Sequence, residues 1–232
     1  MSAPNAVTRK DINPLLAKYL ASLAARPLLT KAVTAGALSF VQEVLANHLA
    51  GVNLPAPKSA NPLRSFTAAA KIDSRAFKLA LYGFFISAPL GHYAVGSLQK
   101  FFEGKNGPSA RFLLLLGNNL FVAPLQTAAY LTSMAVIGGA RSSSQILAVL
   151  KSKFFPVLKM TWAISPIAVL TAQKFLPPET WVIFFNLVSF VMGTNLNTAI
   201  KKQKLKALAE EQAKKEREAK EKGGSGVEST RV

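Results

Sequence analysis

The chain has 232 residues; 50% are hydrophobic and only 17% are charged, against about 25% charged in a typical soluble domain. Its formal net charge is +17, but the lysines and arginines form short clusters between long uncharged runs. A membrane protein distributes charge in this way, whereas a nucleic-acid-binding protein concentrates it on one surface. The lack of cysteine excludes disulfides and thiolate metal sites. We therefore expect a protein embedded in a lipid bilayer, with no nucleic-acid partner.

Five apolar segments follow one another along the chain, and a helix needs about 20 such residues to cross a bilayer. They cover residues 28–54, 79–99, 112–140, 154–175 and 180–200. None alternates strictly between apolar and polar residues, so helices are predicted instead of strands. The first segment is amphipathic and contains Glu43, and the sequence leaves open whether it crosses the membrane or lies at its surface. The predicted fold class is all-α: an integral membrane helical bundle with four or five spans.

The connecting segments divide the chain. Residues 51–70, 105–110 and 138–144 are rich in Gly, Pro or Ser and are predicted to be loops. Only LPPE (176–179) separates the last two apolar segments, which predicts a helical hairpin. After Ile200 the chain becomes charged and basic, which indicates a solvated helix or a disordered tail, with disorder beyond Gly223. We therefore predict a membrane-embedded domain over residues 1–200 and a basic tail over 201–232.

Small residues recur every four positions in the second apolar segment, at Gly83, Ser87 and Gly91. In lipid, such a stripe lets helix backbones approach closely, so helix packing is its predicted role. Pro89 is tolerated there because neighbouring helices can bind the carbonyl that it leaves free.

Polar side chains mark three apolar segments. His92 is either a pore-lining or proton-handling group, or a neutral histidine bonded to a neighbouring helix. Helical spacing puts Asn119, next to Asn118, on one face with Gln126, and Asn186 on one face with Asn197. These amides either hydrogen-bond between helices or line a water-filled passage, and the sequence leaves both readings open. We take His92, Asn118, Asn119, Gln126, Asn186 and Asn197 as candidate pore-lining or polar-face residues.

Enzymatic chemistry has no support in the sequence. It contains no paired-carboxylate motif, no phosphate-binding loop with its lysine and no nucleophile elbow. Two histidines without an accompanying carboxylate cluster do not predict a metal site. We expect neither catalysis nor a cofactor.

Four short stretches resemble the Mpv-seventeen family and its twenty-two-kilodalton peroxisomal membrane proteins, in matching order along residues 15–200. They read YLASLAARPLLTKAVTAG (19–36), YGFFISAPLGHY (82–93), NNLFVAP (118–124) and KFFPVLKMTW (153–162). The chain departs from the family pattern at Asn118, where Asp is frequent, and at Phe155, where Trp is usual. The positions that match family motifs are Arg26, Pro27, Thr30, Lys31, Gly83, Pro89, His92, Pro124, Pro156 and Trp162.

The resemblance implies a multi-pass membrane protein of the peroxisome, or alternatively of the mitochondrial inner membrane. It further implies a homo-oligomeric, weakly selective channel, so we expect a pore or permeability modulator for small metabolites. The positive loops would favour small anionic metabolites by raising their local concentration. The alternative is a non-conducting membrane scaffold that organises the membrane or recruits partners through its basic tail.

Overall fold

The computed structural model describes residues 13–52, 62–104, 108–177 and 180–225, and all regular elements in these ranges are helical. The α-helices are α1 (Pro14–Ala25), α2 (Pro27–Leu49), α3 (Pro62–Ala69), α4 (Ser74–Tyr82), α5 (Ala88–Phe101), α6 (Pro108–Gly117), α7 (Ala123–Ile137), α8 (Ser143–Phe175) and α9 (Trp181–Ser225). One π-helical turn, Gly83–Ser87, joins α4 to α5, and a second, Asn118–Val122, joins α6 to α7. The predicted all-α class is confirmed.

Within the described ranges, five stretches are long and apolar enough to cross a membrane: Pro27–Leu49, Ser74–Phe101, Leu113–Ile137, Ser143–Phe175 and Trp181–Glu218. Large apolar side chains on their outer surfaces are exposed, among them Phe85, Phe121 and Ile167, each about two thirds accessible. So much exposed apolar area suits acyl chains and would aggregate in water. The amphipathic first segment is therefore a fifth candidate span.

Local capping sets where several helices begin. The Asp73 side chain accepts a hydrogen bond from the Ala76 amide at the start of α4, and Ser142 accepts one from the Gln145 amide at the start of α8. As a result α8 begins at Ser143, well before the predicted residue 154, and residues 143–144 do not belong to a loop. The predicted loop over 51–70 is wrong for residues 62–69, because α3 starts at a proline, which suits the first turn of a helix.

The two π turns have the same cause. In each, the Ala amide bonds a carbonyl five residues back, Ala88 to Gly83 and Ala123 to Asn118. A proline follows at once, Pro89 or Pro124, and it has no N–H to offer the next carbonyl. A π turn takes in about one extra residue, so the face of the helix before it shifts by one position relative to the face after it.

Helix α2 lies at the centre of the bundle, packed against α1, α4, the first π turn, α5 and α9, while α8 packs on α7. Where α2 ends, α4 begins and α7 ends, Ala46, Ala76 and Leu131 are fully inaccessible. At this same end α9 passes Ile200 without a break and continues into the charged segment as a helix. We call this end the tail side. Of the two predicted states of the tail, a solvated helix or a disordered segment, residues 201–225 adopt the helical one, whereas residues 226–232 lie outside the described ranges.

Candidate functional site

A cavity of about 480 Å³ lies among the spans, lined by α2, α4, the two π turns, α7, α8 and α9. None of the described side chains that line it is charged, and its polar surface consists of hydroxyl and amide groups. These polar residues are Ser39, Gln42, Tyr82, Ser87, Asn118, Gln126, Thr127, Tyr130, Thr161, Ser165, Asn186, Ser189 and Asn197. A neutral surface rich in hydrogen-bonding groups can replace the water around a small polar molecule.

Four of the six candidate polar residues line this cavity: Asn118, Gln126, Asn186 and Asn197. Asn119 does not. The second π turn accounts for the difference, because it advances the helix phase by one residue and puts Asn118, in place of Asn119, on the face of Gln126. A regular period of 3.6 residues, applied to the sequence, cannot reveal this shift.

Asn119 instead anchors its own helix and a neighbour. Its side-chain amide donates to the Leu115 carbonyl, and its carbonyl accepts a hydrogen bond from the Trp162 indole at 2.8 Å. That carbonyl would bond an N–H at position 124, but Pro124 has none. Trp162 of α8 thus satisfies the acceptor that Pro124 leaves free, which gives these two family-motif residues one shared structural role.

His92 also lies outside the cavity lining. Its ring packs edge-on against Tyr93 with centroids 5.4 Å apart, and its buried Nδ1 has no hydrogen-bond partner among the described residues.

The small-residue stripe is divided by the first π turn. A Cβ at Gly83 would lie 2.5 Å from the Ala35 carbonyl oxygen of α2, whereas one at Gly91 would lie 3.1 Å from the Gln126 amide of α7. Ser87, between them, lines the cavity.

The motif around Arg26 joins α1 to α2. Arg26 lies between α1 and α2, and Pro27 is the first residue of α2. The Thr30 hydroxyl donates a hydrogen bond back across this junction to the Ser22 carbonyl at 2.9 Å. Lys31 is half-buried. Pro156 lies within α8, which remains continuous through it. The matched residues at this junction therefore fix the angle between two helices and do not reach the cavity.

Two layers of contacts lie at the tail-side end of the cavity. In the first, the Tyr130 hydroxyl of α7 donates to the Asn197 side chain of α9 at 2.5 Å. Behind it lies an ion cluster of three residues from three helices: Glu43 of α2, Arg75 of α4 and Lys201 of α9. The Glu43 Oε1 atom is 2.9 Å from the Arg75 Nε and 2.5 Å from the Lys201 Nζ.

Asn47 completes the second layer. It accepts a hydrogen bond from the Lys201 ammonium at 2.6 Å and donates one to the Lys71 carbonyl at 2.8 Å, and it is fully buried together with Glu43. An acidic side chain within an apolar segment normally faces protein or water, but the sequence does not identify the partners of Glu43, which lie 32 positions away at Arg75 and 158 away at Lys201.

Comparison with known proteins gives consistent matches. A sequence model described as the Mpv17 / PMP22 family matches residues 136–197. The Woronin body membrane protein wscA of Aspergillus fumigatus is 46% identical over 198 residues, covering 85% of this chain and 82% of that protein. Peroxisomal membrane protein 2 of Bos taurus is 31% identical over 176 residues, covering 75% and 83%.

The Woronin sorting complex protein of Neurospora crassa is 42% identical over 193 residues, which cover 83% of this chain. The chain spans only 59% of the length of that relative. No solved structure matches the chain.

Proposed function

The chain belongs to the Mpv17 / PMP22 family of membrane proteins, and from that premise we propose that it is a weakly selective pore, or permeability modulator, for small metabolites. The bovine relative is by name a peroxisomal membrane protein, and the peroxisomal membrane is the location of this chain. The proposed activity is non-enzymatic, and a homo-oligomer is the assembly that the resemblance implies.

The observation that carries this proposal is the cavity. Polar groups inside a bilayer cost several kcal/mol each unless they are bonded or solvated, yet amides and hydroxyls from five spans converge on one space of about 480 Å³. Tyr130 and Asn197 bond each other directly, as side chains that only hold helices together would, but an open space remains among the polar groups. A space of this size among them favours the passage of a small polar solute.

The tail side carries most of the positive charge of the described residues. Residues 71–78, 141–153 and 201–206 contain ten basic side chains (Lys71, Arg75, Lys78, Arg141, Lys151, Lys153, Lys201, Lys202, Lys204 and Lys206) and one acid, Asp73. Positive flanks favour the cytosolic side of a membrane, so we assign the tail to the cytosol and α1 to the organelle lumen. The same charge would concentrate small anionic metabolites at the tail-side rim.

The test is solute flux in liposomes that contain the purified full-length chain. We expect polar solutes of metabolite size to leak faster than from protein-free liposomes. Gln126→Leu, which removes an amide from the cavity wall, should reduce the leak. The matched control is Phe121→Leu on the same span, since Phe121 is 71% exposed and does not line the cavity. Equal leak from protein-containing and protein-free liposomes would contradict a pore.

The second candidate function is a non-conducting scaffold, and the form of α9 favours it. This helix of 45 residues is about 68 Å long at 1.5 Å per residue, more than twice the thickness of a hydrocarbon core of about 30 Å. Its charged part is available to bind a partner. A chain ending at Lys206 separates the two functions: a pore keeps its flux without the tail, whereas a scaffold shows no flux with or without it.

A further inference from the structure

The ion cluster of Glu43, Arg75 and Lys201 lies directly behind the cavity. On α9, Lys201 follows the cavity residue Asn197 by four positions, one helical turn. On α4, Arg75 precedes the cavity residue Leu79 by the same interval. On α2, Glu43 follows the cavity residue Gln42. The cluster therefore lies next to the cavity, about one helical turn closer to the tail side on α4 and α9.

The cluster has more positive than negative charge, and the cations are the outer members. The Arg75 and Lys201 side chains are 21% and 11% exposed, while Glu43 is completely inaccessible. Two cations share one carboxylate, so these three residues together have a net charge of +1. An anion that approaches from the tail side meets Arg75 and Lys201 before it meets Glu43.

The pairing between these groups is incomplete. Both cations contact the same oxygen, Oε1, and the buried Oε2 of Glu43 has no hydrogen-bond partner among the described residues. The Arg75 Nε is close to Oε1, but its N–H has no hydrogen-bond partner among the described residues, and one terminal nitrogen donates to the Met134 sulfur at 3.6 Å. Arginine binds carboxylates and phosphates best through two parallel hydrogen bonds, and Glu43 does not supply that arrangement.

We propose that Arg75 and Lys201 form a binding site for a small oxyanion, a carboxylate or a phosphate, and that Glu43 occupies this site when the passage is closed. An incoming oxyanion competes with Glu43 for the two cations. Release of Glu43 breaks the ion pairs that join α2 to α4 and to α9, and these three helices meet at the tail-side end of the cavity. The gating step rests on the pore function proposed above, whereas the anion site does not depend on it.

The site is tested on the full chain in detergent, with inorganic phosphate as the probe and sodium chloride at equal ionic strength as the reference. Glu43→Gln keeps the side-chain shape and removes the competing charge. We expect it to lower the Tm in chloride, and we expect phosphate to restore the Tm. The apparent phosphate affinity should be at least roughly tenfold above that of the wild type, as expected for the loss of one charge-assisted competitor.

Two further variants control for charge and for folding. Glu211→Gln removes one negative charge from the exposed Glu211–Lys215 pair on the tail and should respond to phosphate as the wild type does. Adding Lys201→Met to Glu43→Gln should abolish the phosphate response. Where Glu43→Gln does not yield folded protein, Glu43→Asp, whose shorter carboxylate reaches Arg75 and Lys201 less well, takes its place. Equal Tm values in phosphate and in chloride for the Glu43 variant overturn the site.

Conductance in planar bilayers separates this proposal from the pore itself. We expect Glu43→Gln to raise the anion-to-cation permeability ratio above that of the wild type. A phosphate response in detergent without conductance in any variant supports the anion site and contradicts the pore. Conductance with an unchanged ratio, together with no phosphate response, supports the pore and contradicts the site.

Discussion

Gly83 lies where α2 and the first π turn approach most closely, and its replacement by alanine tests that contact. An added Cβ would lie 2.5 Å from the Ala35 carbonyl oxygen and 2.6 Å from the Ser39 hydroxyl, against 3.4 Å for ordinary contact. The helices would have to separate by about 0.9 Å, the difference between 3.4 Å and 2.5 Å. Overpacking of this kind costs about 1–3 kcal/mol. We therefore expect the Tm of Gly83→Ala to fall by about 2–12 °C.

The matched control is Gly96→Ala on the same span. No atom lies within 4 Å of a Cβ at Gly96, so this change should stabilise the helix by about 0.5–1 kcal/mol. Both variants alter the unfolded chain in the same way, and the difference between them isolates the native contact. The assay is thermal unfolding in detergent micelles followed by far-ultraviolet circular dichroism. Tm shifts of equal size and sign in the two variants would refute the predicted contact between α2 and Gly83.

Two further predictions concern hydrogen bonds between spans. Trp162→Phe removes the donor to the Asn119 carbonyl and should lower the unfolding free energy by about 1–3 kcal/mol. In a Pro124→Ala background, which returns an N–H to that carbonyl, the loss should be smaller. A double-mutant cycle that shows no coupling between the two changes would contradict this pairing. Tyr130→Phe removes the hydrogen bond to the Asn197 side chain and should lower the unfolding free energy by about 0.5–1.5 kcal/mol in the same assay. Its control, Tyr93→Phe, changes an exposed ring and should be near neutral. Equal losses in the two variants would contradict the predicted contribution of the Tyr130–Asn197 bond.

The positions of the spans could be predicted because bilayer thickness fixes how many apolar residues a helix needs. The hairpin between α8 and α9 also follows from the sequence, since so few residues separate the two apolar segments. The start of α8 could have been predicted from its capping residues, although the apolar segment begins only at residue 154. Ser142 and Gln145 have the spacing of a capping box, and the Gln145 side chain accepts a hydrogen bond from the Arg141 amide.

The interior of the site was harder to predict, for two physical reasons. A π turn changes helix phase without leaving a pattern in the side chains, so of the two predicted polar-face residues Asn118 lines the cavity and Asn119 does not. The partners of Glu43 come from helices distant in the sequence, and a single sequence does not state which helices become neighbours. Glu43 itself was visible as a costly charge within an apolar run, but its role depends on tertiary packing.

The unbroken course of α9 has a mechanical consequence. Lys201 belongs to the same helix as the charged residues that follow it, and this helix extends about 36 Å further to Ser225 at 1.5 Å per residue. A partner that binds the charged end of α9 and tilts the helix would displace the Lys201 ammonium relative to Glu43, because α9 is continuous between the two points. Binding outside the membrane would thereby change the ion pair of Glu43, although the Glu43 side chain itself is inaccessible to water.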